Sequence, residues 1–461
     1  MLRRFRGAAF DGEGAMAGHN MTQGSIAKSL IGFALPMILG NLFQMTYNAV
    51  DSIIVGRYVG TEAVAAVGAA NPIMNVVIFF IGGICMGASV LMSNYYGAQD
   101  FSRLKREVST TLLAGAAFTL VVTVLCFLLA KPVLWLIQTP AEIIDHSAGY
   151  LRIVFSGLIF TYLYNFFSNT LRSIGDSRTP LLFLILSSVL NVGLDLLLVM
   201  GMNLEVRGAA IATVVSQAVS SLLCLLYINR RIPLLQFRRE EFVLDRGMLW
   251  ETVSYSWVTA LQQTCIYLGK LVVQGAVNPL GVGSIAAFNA VSRVDDFAIT
   301  PMQSVGSAMT TFVAQNRGAG DDKRILRGFW TGMGLQTLYW AVACGVIYFG
   351  AGPLMHLFVP ESGEAVIELG ILYLHGMAFY YLLAGLNNGL HGYFRGMGRL
   401  AITLISTLLQ IVFRVIFSYW LAPVSGIAGI ASACMIGWVL MLLYEAVMLA
   451  WDRRKRGRTA E

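Results

Sequence analysis

Twelve apolar runs, each long enough to cross about 30 Å of hydrocarbon, divide this chain from end to end. They lie near 29–55, 63–93, 108–130, 147–171, 180–201 and 208–228, and then near 250–277, 284–313, 328–349, 367–391, 400–421 and 427–449. In lipid a backbone must satisfy its own hydrogen bonds, so each run is expected to be a spanning α-helix. Only 12% of the 461 residues are charged, against roughly a quarter in a soluble domain. That leaves too few charges to cover a water-facing surface. The expected fold class is all-α integral membrane, with twelve transmembrane helices.

The most polar stretch, NRRIPLLQFRREEFVLDRGML, falls in the middle and reads as a linker. The expected organisation is an N-terminal cytoplasmic extension (1–21), an N-lobe of six helices (22–228), a cytoplasmic linker (229–249), a C-lobe of six helices (250–450) and a basic cytoplasmic tail (451–461). Residues 1–20 lack the apolar core of a signal peptide, and Met21 opens a more ordinary start, MTQGSIAKSL. The six cysteines sit inside apolar runs without metal-ligand spacing and read as packing residues.

A net charge of +7 could point to nucleic acid, but the basic residues cluster in short segments between spans. Of the 32 Lys and Arg, 25 fall on the side of the two termini, and the opposite loops hold only Arg57, Lys131 and Arg207. By the positive-inside rule both termini are expected in the cytoplasm. This is the charge pattern of a multi-pass protein with lipid, not nucleic acid, around it.

The two halves repeat at an offset of 221 to 223 residues. Tyr96-Gly97-Ala98-Gln99-Asp100 with Arg103 matches Arg317-Gly318-Ala319-Gly320-Asp321 with Arg324. Gly60 matches Gly281, Gly208 matches Gly429, and Asn165, Arg172 and Gly175 match Asn388, Arg395 and Gly398. Each half has an even number of spans, so the halves enter the membrane in the same sense. A pseudo-twofold axis along the membrane normal is expected, an arrangement in which halves rock about a central site. Transport follows from that more readily than a pore or an enzyme. No GxxxxGK[ST] phosphate loop and no Ser/His/Asp arrangement stands out, so neither an ATPase nor a hydrolase is indicated.

An ionisable group in a span costs on the order of 2.5–3.5 kcal/mol on insertion scales, so each needs a reason. In the first half, Asn41, Asn48 and Asp51 share one face of the first helix, with Gln44 close by, and Asn191 and Asp195 stack four apart on the fifth. Carboxylate with amide oxygens suits a dehydrated hard cation, and a buried carboxylate can equally take up a proton. At matched positions of the second half, Asp51 becomes Val272, Asp195 becomes Ser418 and Asn191 becomes Arg414. Ion coupling is therefore expected in the first lobe. The second carries Lys270, Arg293, Asp295, Asp296 and Arg414, with Arg293 expected to neutralise the two aspartates and Lys270 and Arg414 to line the cavity or pair across it. Tyr47, Gln263 and Tyr267 are further candidate lining residues. Pro36 and Pro301 can kink their helices at a cavity.

The segments ALPMILGNLFQMTYNAVDSIIVGRYVG (34–60), NYYGAQD (94–100), LRSIGDSRTP (171–180), RGAAIAT (207–213) and QNRGAGD (315–321) together resemble the multidrug and toxic compound extrusion (MATE) family. The resemblance runs from about residue 22 to 450 and is closest to its DinF-like branch. It implies two six-helix lobes forming a V, in the plasma membrane of bacterial type, and export of small amphipathic organic compounds in exchange for Na+ or H+. It also implies a first-lobe cation or proton site at Asp51, Asn191 and Asp195, joined by Tyr150 and Thr213. No cofactor beyond the coupling ion and no oligomeric partner is expected. Another branch of the family uses an acidic residue within helix 7; here that helix offers Gln262, Gln263 and Lys270 instead. Two alternatives stay open: a lipid-linked oligosaccharide flippase of the same superfamily, and a membrane-embedded lipid-modifying enzyme.

Overall fold

The computed structural model of the protein describes residues 20–202, 204–236, 243–358 and 363–460, without the side chains of 48–58, 61, 453 and 455–460. The first lobe comprises α1 (Ile26–Tyr58), α2 (Thr61–Gly97), α3 (Phe101–Leu136), α4 (Ala141–Ser156), α5 (Leu158–Ser173), α6 (Arg178–Asp195) and α7 (Glu205–Arg231). The second comprises α8 (Arg246–Val277), α9 (Val282–Gly318), α10 (Asp322–Phe358), α11 (Glu364–Gly396) and α12 (Leu400–Ala460).

These helices make twelve crossings. α4 and α5 are one span bent by 46°. The bend falls at Ser156-Gly157, where a Cβ on the glycine would strike the Val214 side chain of α7, so a small residue and a kink go together. α12 is two spans joined at Gly426, whose φ of 57° and ψ of −137° break the helix after Pro423. α6 runs on into a π-helical turn over Leu196–Gly201. Among the described residues eight helices are individually apolar enough to span. Two that are not, α8 and α9, carry Lys270, Arg293, Asp295 and Asp296 and face the opposite lobe. The lipid-facing surfaces are plain by contrast: α3 exposes Leu120, Val121, Val124 and Leu128, and Trp135, Trp250, Trp330 and Trp420 stand outward.

The sequence repeat has a structural counterpart at each matched glycine. Gly60 and Gly281 both precede a helix with φ near +100°, at 108° and 91°. Gln99 and Gly320 occupy left-handed turns (φ 58° and 71°), and the aspartates that follow cap α3 and α10. Asp100 Oδ1 accepts from the Arg103 amide at 3.0 Å, and Asp321 Oδ1 from that of Arg324 at 2.8 Å. One such cap contributes about 1 kcal/mol.

The lobes meet on the side of the membrane that carries both termini. There Gly97 of α2 lies against the Gln315 carbonyl of α9, and Gly318 of α9 lies against the Asn94 carbonyl of α2; a Cβ on either glycine would overlap that oxygen. The four residues are repeat partners, 94 with 315 and 97 with 318, so the pseudo-twofold axis runs between them. Further along α2, Gly83 and Gly87 bring the backbone onto Ala260 and Ser256 of α8, and Ser256 Oγ donates to the Ile84 carbonyl at 3.0 Å. Small residues that let backbones touch are the usual means of helix association in lipid. Among the described residues the last inter-lobe hydrogen bond toward the opposite face is Asn75 Nδ2 to Tyr267 Oη, 3.3 Å, a little past the middle of α2. The V therefore opens away from the termini.

Valine at Gly97 or Gly318 should force this seam apart. A cysteine at Asn94 should then react faster with a membrane-impermeant maleimide added on the terminal side, by about tenfold for each 1.4 kcal/mol of closure lost. Valine at Gly32 or Gly68, where a Cβ meets open space, should leave labelling unchanged. Equal rates in all four variants would contradict the seam.

Candidate functional site

Inside the first lobe a small cavity, about 30 Å3, lies between α1, α5, α6 and α7. Among the described residues its wall is polar but uncharged: Gln44 and Tyr47 from α1, Tyr164 from α5, Ser187, Ser188 and Asn191 from α6, and Thr213, Ser216, Gln217 and Ser220 from α7, with Leu184 the one aliphatic residue. Helical spacing produces this. Ser187, Asn191 and Asp195 recur every fourth residue on α6, and Thr213, Ser216, Gln217 and Ser220 recur at three and four on α7. Ser216 Oγ and Gln217 Oε1 are buried and have no hydrogen-bond partner among the described residues, which equips the wall to receive one from a ligand.

Asp195 lies one turn from the cavity and is wholly shielded from solvent, and Asn191 is 3% exposed. With its amide turned so that nitrogen faces the carboxylate, Asn191 donates to Asp195 Oδ2 at 3.2 Å and accepts from the Thr213 amide at 3.2 Å. The Thr213 hydroxyl itself donates to the Ala209 carbonyl at 3.1 Å. Asn191 thus ties the carboxylate of α6 to the backbone of α7. The π-helical turn begins at the next residue, Leu196, and π-bulges gather at functional sites because they re-aim a side chain within a helix.

The other candidates divide. Asn48 and Asp51 are on α1, but their side chains lie outside the described residues. Tyr150 is buried in the core shared by α2, α4 and α7, and its hydroxyl donates to Met74 Sδ at 3.9 Å; it does not line the cavity. Asn41, Gln263 and Tyr267 are seam residues rather than walls of that cavity. Asn41 donates to Ser304 Oγ of α9 at 3.1 Å, Gln263 to Met86 Sδ at 3.9 Å, and Tyr267 accepts from Asn75 and packs on Phe79.

The second lobe corrects one expectation. Arg293 is exposed and pairs with neither aspartate among the described residues. Lys270 of α8 instead pairs with Asp296 of α9, Nζ to Oδ1 2.5 Å. Asp295 accepts from Tyr381 and, at 3.3 Å, from Tyr373, both on α11, with Arg414 of α12 acting on it electrostatically. The contacts cross between helices, so helix-by-helix inspection of the sequence could not supply them. Lys270 and Arg414 each face a carboxylate of their own lobe, and Arg293 does not.

The family model for MatE matches residues 36–197 and again 259–420. The chain belongs to the MatE family. The two matches are displaced by 223 residues, the same displacement that relates the lobes. This MatE chain is 32% identical over 368 residues to the probable multidrug resistance protein YoeA of Bacillus subtilis, covering 78% of this chain and 79% of that one. It is 28% identical over 440 residues to the probable multidrug resistance protein YpnP of the same species, covering 93% and 97%. Among solved structures, an outward-facing multidrug resistance MATE family transporter of the MOP superfamily superposes with a TM-score of 0.86 at 21% identity, covering 96% and 98%. The MatE chain is accordingly a multi-pass membrane transporter of two six-helix lobes and not an enzyme, which removes the lipid-modifying alternative.

The division of labour in the second lobe can be measured. Lys270→Met, which breaks a pair half open to solvent, should cost less than about 1 kcal/mol of stability. Asp295→Ala, which strips two phenols of their shared acceptor and removes the charge that acts on Arg414, should cost on the order of 2–3 kcal/mol. Thermal denaturation of the purified chain in detergent reads both; equal losses would contradict the assignment.

Proposed function

We propose that the chain is a secondary active exporter of small amphipathic organic compounds, driven by entry of protons or sodium ions through the first lobe. Both termini lie in the cytoplasm on this reading, as the basic loops require, so the V opens to the outside. The observation that carries it is the solvent-shielded Asp195, tied by Asn191 to α7 beside a cavity whose Ser216 and Gln217 have no hydrogen-bond partner among the described residues. A buried carboxylate is stable when it holds a proton or a cation. Asp51, on the α1 helix that also lends Gln44 and Tyr47 to the cavity wall, is the second carboxylate of the site.

The two loads compete. With the carboxylates ionised and the ion absent, the cavity favours a substrate that brings hydrogen-bond donors or positive charge. Ion or proton binding neutralises the site, draws α1, α6 and α7 together and expels the substrate outward. A ligand moves such an equilibrium only by its differential affinity for the two states, and neutralisation of a buried charge supplies that difference.

The flippase alternative finds less support, since Lys270 and Arg414 face acidic partners in their own lobe. Its relatives named above are multidrug resistance proteins, which fits amphipathic drugs as cargo.

Asp51→Asn or Asp195→Asn should reduce gradient-driven dye export from proteoliposomes to the level of protein-free vesicles, with membrane insertion and monodispersity unchanged. Applying proton and sodium gradients separately to the unaltered protein identifies the driving ion. Full export by both variants would overturn the site assignment.

A further inference from the structure

The short lead-in to the first helix of each lobe is seated on the opposite lobe. Ahead of α1, the Met21 amide donates to Gln315 Oε1 of α9 at 3.0 Å, and Met21 is wholly buried against Phe312, Ile325 and Phe329. Arg324 of α10 forks over the same segment: Nε and Nη2 donate to the Met21 carbonyl at 3.2 and 3.1 Å, Nη2 to that of Gln23 at 2.8 Å, and Nη1 to that of Gly24 at 2.9 Å. Gln315 in turn donates to the Ser173 carbonyl at the end of α5, 2.8 Å away.

Ahead of α8 the same happens in the other direction. The Val243 amide donates to Ser109 Oγ of α3 at 3.1 Å, and the Asp245 amide to Thr110 Oγ1 at 3.1 Å. Arg106 of α3 stands 3.8 Å from Asp245, and Thr252 Oγ1 of α8 donates to the buried Glu107 at 2.8 Å. Helices α3 and α10 are repeat partners, as are α1 and α8, so the two seats are related by the pseudo-twofold axis. Their chemistry has diverged. Arg103, the repeat partner of Arg324, stays on its own helix and pairs with Asp100.

We propose that these lead-ins are a reciprocal pair of latches that hold the terminal side of the V shut, and that both leave their seats when the lobes part there. The physical argument is one of linkage. The bonds to Met21, Gln23 and Gly24 and those from Val243 and Asp245 each join a lead-in to the lobe it does not belong to, so each exists only while the seam is closed. The arginine latch is the stronger, because one guanidinium satisfies three carbonyls with charge-assisted bonds. A lysine is a point charge and cannot reproduce that fork. The proposal rests on rocking of the lobes and not on which ion drives it.

The test is a distance across the seam, read without substrate or gradient. Spin labels go on Ser102→Cys of α3 and Leu326→Cys of α10, in the full chain with its native cysteines replaced and reconstituted in lipid nanodiscs. Arg324→Ala should raise the fraction open on the terminal side roughly tenfold or more, the loss expected for several charge-assisted bonds. Arg324→Lys should fall between it and the unaltered protein. Ser109→Ala with Thr110→Val unseats the second latch without touching the first, and should also raise the open fraction. If Arg324→Ala does not fold, that double variant decides by the same reading. An open fraction that stays at the unaltered level in both latches overturns the proposal.

Discussion

Two glycines set the geometry on which the rest of this transporter depends. Gly97 and Gly318 each rest on a carbonyl three residues ahead of the other, so the backbones of α2 and α9 touch where the pseudo-twofold axis passes. In lipid, apolar side chains gain nothing by leaving a solvent as greasy as themselves, and helices associate through close packing and hydrogen bonds. A backbone contact of this kind holds two lobes together without fusing them into one core. It also fixes which side is closed. With Gly83 and Gly87 extending the contact along α8, the seam is tight on the side of the termini, and the far ends of the lobes are left to diverge.

Against that symmetric frame the lobes differ in what they bury. The first keeps Asp195 beside a polar cavity, uncharged among the described residues, held by an asparagine that spans α6 and α7. The second has arginine where the first has Asn191, and its aspartates are occupied: Asp296 by Lys270, Asp295 by two tyrosines with Arg414 acting on it. A charge engaged within its own lobe braces the helices it joins, whereas a carboxylate beside an open polar cavity can exchange its companion. On the proposed function, the second repeat serves as a brace and the first as a binding chamber.

Much of this was legible in the sequence because it follows from periodicity. The twelve spans and the stacking of Asn191 on Asp195 are consequences of helix length and the three-to-four residue spacing. The repeat motif was visible too, but its meaning was not: a glycine near a helix end reads as a turn, and only coordinates put Gly97 on Gln315. The serines of the cavity were overlooked because a lone serine in a span is commonplace. Their recurrence with Thr213 and Gln217 on one face of α7 was the available signal. Contacts between helices, such as Lys270 with Asp296 or Arg324 with the carbonyls of 21–24, leave no local trace. The bend at Gly157 was hidden for the same reason, since it answers to Val214 on another helix.

The central claim is that substrate and driving ion exclude one another at the first-lobe carboxylates. It is tested most directly by following proton and sodium release when an organic cation dye is added to the purified protein in weakly buffered detergent solution. The unaltered chain should release one or the other ion in proportion to dye bound, and a variant carrying both Asp51→Asn and Asp195→Asn should release neither. Undiminished release from that double variant would contradict the account.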